Sequence, residues 1–413
     1  MKLNIEKIGK INKAEIVFDG LTIIAGKNST GKSTVGKALF SIFNSFYKIS
    51  NTYNSYRERA IRKRILDLDD VIEIFFFNEN SINLDTLIAK LNSTSTIDEI
   101  KNIFNYYNLN DRLSPQNYKK IIAELDKINQ SSMKQVLDEE TQNHFQAEFS
   151  KNINHIKSNG EQGVVCLTIK DELIETIFEN NKLSSISNYF SLNYKPVYID
   201  DPFIIDTDNQ NEFRFFRSDS EIDRTHRQVL LSQLNRRTSG NPIDNILIKK
   251  ETQIVYDKIM EILDENDSGI KYSYNRSSDD EDTLSIDNLS SGMKTFYLLK
   301  ILLENGTIEQ NSPVILDEPE VHLHPEWQLV LAEIIVLLQK QLNINFLINT
   351  HSPYFLRAIE VYTTKHNINS KTKYYLAENV GQTAIFNDVT NDTSKIYKIL
   401  AAPLQVIENE RYN

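Results

Sequence analysis

Four short stretches of this 413-residue chain hold side chains whose types and spacing suit phosphate chemistry. In chain order they are Gly26–Ser33, Leu289–Lys294, Val314–Pro319 and Thr350–Ser352. Glycine-rich turns offer backbone N–H groups to phosphates, carboxylate and hydroxyl oxygens bind Mg²⁺, and a neutral imidazole can hydrogen-bond a phosphate or a water. Each stretch alone has a structural alternative, but the ordered set predicts the two parts of one ATP site.

The first stretch has the spacing G-x-x-x-x-G-K-S, and it lies between an apolar run, Leu21–Ala25, and a helical pattern that starts at Thr34. Such a turn aims N–H groups at a phosphate near the positive end of the following helix. Lys32 is expected to reach the β- and γ-phosphates, and the Ser33 hydroxyl to bind Mg²⁺. The predicted nucleotide-binding residues of this stretch are Gly26, Asn28, Ser29, Thr30, Gly31, Lys32, Ser33 and Thr34.

Carboxylate and imidazole groups follow two further apolar runs. Pro313–Leu316 predicts a buried strand that ends at Asp317, a candidate Mg²⁺ ligand, and Glu318, a candidate for polarising the attacking water. His351 follows the run Ile344–Asn349, where it can contact the γ-phosphate or that water. The alternatives are a solvated strand end for the carboxylate pair and a structural role for the histidine. The catalytic residues predicted here are Lys32, Glu318 and His351.

Two segments resemble a known superfamily. Leu289–Lys294 resembles the LSGGQ signature of ATP-binding-cassette (ABC) ATPases, with Ser291 in place of the first glycine. Asp317–Pro325 is similar to the DEPExxLHP stretch of the cytosolic branch, which includes RecF-like, SMC-like and OLD-family proteins and the ATPase subunits of anti-phage defence systems. The opening segment Lys2–Phe18 looks like the first hairpin of these proteins. The chain is thus similar to a stand-alone ATPase of this branch.

The resemblance covers residues 1 to about 45 and about 284 to 413. It implies an α/β fold, the ABC-ATPase head, in which a P-loop and a mixed or parallel sheet are flanked by helices. It also implies a large, mostly helical inserted lobe. The expected divisions are the N-terminal part of the head at 1–50, the inserted lobe at 51–283 and the C-terminal part of the head at 284–413.

In that superfamily the signature loop binds the γ-phosphate of ATP held by a second protomer. The resemblance therefore implies that Ser290, Ser291 and Gly292 act in trans, and that the site forms in a head-to-tail homodimer, with a larger oligomer left open. Met293-Lys294 stands where relatives usually carry glutamine or glutamate. ATP and Mg²⁺ are the expected cofactors.

The middle of the chain is polar and mostly helical in pattern. Val71–Phe77 and Lys195–Ile199 interrupt it as candidate strands, and the second runs into Asp200 and Asp201. That acidic pair is either part of a metal site or a turn before Pro202. Amphipathic helices are predicted at Asp98–Tyr107, Asn117–Ile128 and Ser132–Ile156.

The tail after Arg357 predicts two strands, Lys373–Ala377 and Thr383–Asp388, and a helix. Its roughly 50 residues are too few for an added nuclease domain. The resemblance then implies an ATPase that regulates or scaffolds a separate effector, a nuclease or toxin, in anti-phage defence. The alternative is a RecF-like or SMC-like DNA-binding ATPase of repair or maintenance.

Composition bears on these alternatives. The net charge of −11 argues against binding nucleic acid by bulk attraction. A local cluster still leaves nucleic acid open as a ligand, although the same residues suit a solvated helix face: Arg57, Arg59, Arg62, Lys63 and Arg64. No apolar run approaches the ~20 residues of a membrane span. The single cysteine, Cys166, excludes an internal disulfide, and a cytoplasmic protein is expected.

Overall fold

The structure is a computed structural model, and it describes residues 1–68, 82–155, 160–207, 224–236, 250, 252–261, 271–273, 283–285 and 289–411. The chain divides into two compact units. The first comprises Met1–Asn44, Thr141–Asn188 and Tyr194–Asn413, and the second comprises Ser45–Glu140 and Tyr189–Asn193.

A mixed sheet dominates the first unit. Its strands are β1 (Lys2–Ile8), β2 (Ile11–Val17), β3 (Leu21–Gly26), β4 (Gly163–Ile169), β5 (Glu172–Glu179), β6 (Lys182–Ser187), β7 (Val197–Ile199), β10 (Pro313–Asp317), β11 (Asn345–Thr350), β12 (Thr372–Val380) and β13 (Thr383–Asp388). Among the described residues the order of these 11 strands is β6-β5-β4-β1-β2-β13-β12-β3-β11-β10-β7. Two short strands, β8 (Lys271–Ser273) and β9 (Thr283–Ser285), form a separate parallel pair.

One half of the sheet is parallel, and this half positions the candidate site. β3 pairs in parallel with β12 and β11, β11 with β10, and β10 with β7. The register sets Asp317 beside Asn349, and Thr350 beside Ala25. Because parallel strands end at the same edge of a sheet, the segments after β3, β10, β11 and β7 meet there.

The helices, in chain order, are α1 (Lys32–Phe46), α2 (Ile49–Leu66), α3 (Leu84–Asn92), α4 (Ile97–Tyr106), α5 (Leu109–Arg112), α6 (Pro115–Gln130), α7 (Met133–Glu148), α8 (Ile204–Thr207), α9 (His226–Leu234), α10 (252–261), α11 (Ser291–Glu304), α12 (Pro325–Leu342), α13 (Pro353–Lys365), α14 (Ser394–Leu400) and α15 (Ala402–Arg411). A 3₁₀ turn, Asn369–Lys371, precedes β12. Apolar side chains of α11, α12 and α13 form one buried cluster with those of β3, β10 and β11. A sheet half covered by helices explains why β3 and Pro313–Leu316 are buried at every position.

The second unit is helical. Its apolar core comes from α2 to α6 and includes Ile61, Ile88, Phe104 and Leu125. Side-chain caps fix the helix starts: Asn83 accepts from the N–H of Thr86, and Ser114 from that of Asn117.

The expected fold class is confirmed: the protein is α/β, with a mixed sheet flanked by helices and a mostly helical inserted lobe. The first hairpin is β1 and β2, as predicted. Val71–Phe77 lies outside the described residues. The helix predicted over Ser132–Ile156 ends earlier, at Glu148, because Ser150 and Lys151 adopt left-handed conformations with φ of 49° and 68°. The insertion also contributes β4 to β7 to the main sheet.

Candidate functional site

The glycine-rich loop connects β3 to α1 and curls tightly. Gly31 has φ of +82°, a left-handed conformation that glycine adopts without steric cost. Gly26 has no room for a side chain, since an added Cβ would lie 2.4 Å from the carbonyl oxygen of Ala377. Glycine is therefore required at position 31 by the backbone conformation and at position 26 by the lack of space.

Lys32 begins α1 and lies back over this loop. Its side chain is 5% exposed, and its Nζ donates to the carbonyl oxygens of Gly26 and Lys27, each at 3.0 Å. Nζ also lies 4.0 Å from Oε1 of Glu318. Burial lowers the pKa of Lys32, and nearby carboxylates, Glu318 foremost, only partly oppose this. A phosphate beside the ammonium would favour its charged form.

The Asp317 carboxylate is held from both sides by neighbouring strands. Its Oδ1 accepts a hydrogen bond from Nδ2 of Asn349 at 3.0 Å, and its Oδ2 accepts one from the Tyr198 hydroxyl at 3.1 Å. Burial raises the pKa of Tyr198 well above its usual value, so the phenol stays protonated and remains a donor. Each carboxylate oxygen can accept further bonds, so the carboxylate is oriented but still available to a cation.

Glu318 turns out of the strand into a left-handed conformation with φ of 53°. Its N–H donates to the carbonyl oxygen of Asn349 at 2.9 Å, which fixes the turn. Its Oε1 lies 3.3 Å from Nδ1 of His351. The Glu318 and His351 side chains are 35% and 41% exposed, so both can reach a ligand. A non-glycine residue in this region is uncommon, and such conformations concentrate at functional sites.

Glu320 ties the segment after β10 to the end of β11. Its side chain is 3% exposed, and Oε1 accepts hydrogen bonds from the Thr350 hydroxyl and from the N–H groups of His351 and Ser352 at 3.1 and 3.2 Å. Burial raises the pKa of Glu320. Glu320 was not among the predicted site residues, although it holds the backbone that carries His351.

Two cavities open at this edge of the sheet. The first, of about 290 Å³, is lined by Lys10, Asn28, Ser29, Thr30, Gly31, Lys32, Ser33, Thr34 and Glu318. The second, of about 540 Å³, is lined by Ser33, Asp200, Asp201, Pro202, Phe203, Arg227, Thr295, Asp317, Glu318, Pro319, Val321 and His322. Ser33 and Glu318 line both. Lys10, whose Nζ donates to the carbonyl oxygen of Ser29, was not among the predicted site residues.

The donor groups suit a nucleotide with magnesium. The first cavity is lined by all predicted residues of the glycine-rich loop except Gly26. The backbone N–H groups of such a loop can donate hydrogen bonds to a chain of phosphates. Ser33 and Asp317 both line the second cavity. A hydroxyl and a carboxylate are hard oxygen ligands, which Mg²⁺ prefers.

The signature stretch lies at the start of α11. Gly292 leaves no space for a side chain, because an added Cβ would lie 2.6 Å from the ring of Trp327. Ser290 is the N-cap residue of α11, and its side chain makes no capping hydrogen bond. Ser290, Ser291 and Gly292 do not line either of these two cavities.

A charged cluster surrounds the candidate acidic pair after β7. His226 lies between two carboxylates, with Nδ1 2.8 Å from Oε2 of Glu148 and Nε2 3.0 Å from Oδ2 of Asp200. Its ring stacks on Tyr198, with centroids 4.3 Å apart, and Arg227 also binds Asp200 at 2.8 Å. Burial lowers the pKa of His226, but hydrogen bonds to Asp200 and Glu148 outweigh it and raise the pKa to about 9.

This cluster predicts a pH dependence of stability. Since the folded pKa of His226, about 9, exceeds the ordinary 6.5, the imidazolium stabilises the folded state fully below pH 6.5 and loses that effect as pH rises through 9. We expect the melting-temperature difference between the wild type and His226→Gln to be largest below pH 6.5 and to shrink towards pH 9. The control is His324→Gln, whose side chain is 68% exposed. A difference that stays constant or grows with pH would contradict the assignment.

The predicted basic cluster lies on α2, in the second unit. Arg57 is 8% exposed and donates to the Thr94 carbonyl oxygen and to Oδ1 of Asn129 at 2.8 and 2.9 Å. Two others are ion-paired: Arg62 with Asp85 at 2.7 Å and Arg64 with Glu124 at 3.1 Å. Arg59 and Lys63 are exposed. Most of this cluster is therefore engaged within its own unit.

Within the described part of the chain, no helix is both long enough and apolar enough to cross a membrane.

Three solved structures show a low level of similarity. The SmcHead bound to the C-winged helix domain of ScpA is 12% identical, with a TM-score of 0.41 over 95% of this chain and 98% of that chain. The SMC head domain from Thermotoga maritima is 13% identical, with a TM-score of 0.35 over 94% of this chain and 98% of that chain. The Smc head domain with an extended coiled coil, bound to the C-terminal domain of ScpA derived from Pyrococcus furiosus, is 13% identical. Its TM-score is 0.39 over 99% of this chain and 98% of that chain. Sequence identities and TM-scores this low support no conclusion about the site.

A protein family matches most of the chain. Its description is "AAA domain, putative AbiEii toxin, Type IV TA system", and the match covers residues 21–357. That interval contains all four motifs, from the glycine-rich loop to His351. The match and the site geometry together place the chain in this AAA-domain family.

Proposed function

We propose that this chain is an ABC-type ATPase that binds and hydrolyses ATP. The observation that carries the proposal is the meeting of three groups from separate segments: Oε1 of Glu318 lies 4.0 Å from Nζ of Lys32 and 3.3 Å from Nδ1 of His351. A cation, a carboxylate and an imidazole beside a glycine-rich loop are the groups needed for nucleophilic attack by water on a phosphate.

In the proposed reaction Lys32 and the loop N–H groups bind the phosphates. Ser33 and Asp317 would hold Mg²⁺, which when bound neutralises phosphate charge. Glu318 orients a water and accepts its proton as the water oxygen bonds to the γ-phosphorus and the bond from that phosphorus to the ADP oxygen breaks. His351 hydrogen-bonds the γ-phosphate or the water, and Glu320 keeps its backbone in place.

The site is proposed to be completed by a second copy of the chain. The N–H groups at the start of a helix have no intrahelical acceptor and attract anions. Those of Ser290, Ser291 and Gly292 begin α11 but do not line the two cavities of their own chain described above. In a head-to-tail homodimer they would reach the γ-phosphate bound by the partner. Assembly into a larger oligomer is compatible with this arrangement.

The dimer is proposed to regulate or scaffold a separate effector, a nuclease or toxin, in the cytoplasm during anti-phage defence. The family description supports a toxin–antitoxin setting. The DNA-binding alternative is weakened because Arg57, Arg62 and Arg64 already have partners within their own unit.

Co-purification tests the effector proposal. Tagged Glu318→Gln protein is recovered from the native host in Mg-ATP, with and without nuclease treatment, and its partners are identified by mass spectrometry. Lys32→Ala protein serves as the control that cannot hold ATP. A near-stoichiometric nuclease or toxin that survives nuclease treatment supports the proposal. Repair proteins recovered only through DNA, together with ATP turnover stimulated by DNA, would favour the DNA-binding ATPase of repair or maintenance instead.

A further inference from the structure

Lys294 belongs to the signature stretch, yet its side chain is packed inside its own protomer. Only 4% of the side chain is exposed, and Nζ lies 2.7 and 2.6 Å from the two carboxylate oxygens of Asp206. The ammonium also lies 5.0 Å from the centroid of the Phe203 ring. The residue at this position therefore contacts the segment after β7.

Lysine is an unfavourable choice at this place. It lies in the first turn of α11, where the helix dipole opposes a positive charge. Burying an ammonium is also costly, and apolar residues of similar volume are often at least as stable as a buried ion pair. Stability alone therefore does not account for the pair. The pair does supply a directional contact between the start of α11 and the segment after β7.

The partner of Lys294 belongs to a segment that reaches the candidate magnesium site. Asp206 lies on α8, directly after Asp200–Phe203, which line the second cavity together with Ser33 and Asp317. The Phe203 ring also meets His322 edge to face, with centroids 5.2 Å apart. Contacts thus run from the cavity wall through Phe203 and Asp206 to the first turn of α11.

We propose that Lys294 is a positioning residue that acts through Asp206 and Phe203. It holds the N–H groups of Ser290 to Gly292 in a fixed position relative to the second cavity, which Ser33 and Asp317 line. This inference rests on the proposed ATPase function. Under this inference the Lys294–Asp206 pair affects the rate of ATP hydrolysis, whereas the affinity for ATP depends on the glycine-rich loop and Lys32.

The test compares four proteins with the wild type. Lys294→Met/Asp206→Leu replaces the ion pair by an apolar pair, so no charge is left buried without a partner. Lys294→Met alone leaves the Asp206 carboxylate unpaired, and Lys294→Arg keeps the charge. The control is Lys300→Met on the same helix, where Nζ lies 5.2 Å from the centroid of the Tyr297 ring. The readouts are kcat, the Kd of a fluorescent ATP analogue, melting temperature and hydrogen exchange of the peptide 289–296.

For the double variant we expect kcat to fall about 10-fold or more, since small displacements of positioned groups can cost that much. Its nucleotide Kd should stay within about twofold and its melting temperature should match the wild type, while hydrogen exchange of 289–296 rises. Lys294→Arg should recover most of the turnover, and Lys300→Met should behave as the wild type.

Two results would overturn the inference alone: an active wild type with a double variant indistinguishable from Lys300→Met, or a parallel loss of kcat, affinity and melting temperature. The parallel loss would show a purely structural role. A folded wild type that binds the analogue and does not hydrolyse ATP would overturn the proposed function and this inference together.

Discussion

Lys32→Ala is expected to abolish nucleotide binding and turnover. Losing a charged partner of a buried phosphate commonly costs about 2–5 kcal/mol, so we expect the Kd for ATP to rise about 10²-fold or more. Burial disfavours the ammonium and lowers the pKa of Lys32, which offsets part of the loss of its hydrogen bonds to Gly26 and Lys27, so we expect the melting temperature to change little compared with ATP binding. Isothermal titration with Mg-ATP and a thermal melt measure the two effects.

The matched control for this change is Lys13→Ala on β2, which removes an ammonium whose side chain is 68% exposed. It should bind ATP as the wild type does. Retained ATP affinity in Lys32→Ala would show that the glycine-rich loop does not hold the phosphates.

Glu318→Gln is expected to separate binding from chemistry. The amide keeps the size of the side chain but cannot take a proton, so turnover should fall about 10²- to 10⁴-fold while ATP stays bound. Under the composite-site proposal, this variant in saturating Mg-ATP should form a stable dimer by size exclusion with light scattering. The control is Glu326→Gln, whose carboxylate is 83% exposed at the start of α12. A Glu318→Gln protein that stays monomeric would contradict the trans arrangement.

The elements around the site could be predicted because buried parallel strands appear in sequence as continuous apolar runs. β3, β10 and β11 are such runs, and each is followed by a motif of recognisable spacing. The parallel register then accounts for the meeting of Glu318 with His351.

The residues that orient these groups could not be predicted from the same patterns. Tyr198 and Asn349 hold Asp317 only because β7 and β11 pair on either side of β10. Lys294 stands in a recognisable motif, but its partner Asp206 is 88 residues away in sequence. β4 and β5 were also missed, since their alternating burial gives a weaker signal than a continuous apolar run, and β6 is mostly exposed or half-buried.

Mixing two inactive variants tests the central claim, a site shared between two copies, most directly. Lys32→Ala protein and protein with Ser291 replaced by tryptophan are each expected to be inactive, and each keeps the part that the other lacks. An equal mixture should recover roughly a quarter of the wild-type ATP turnover, because half of the dimers are mixed and each has one intact site. A mixture that stays as inactive as its components, although native mass spectrometry shows mixed dimers, would contradict the account.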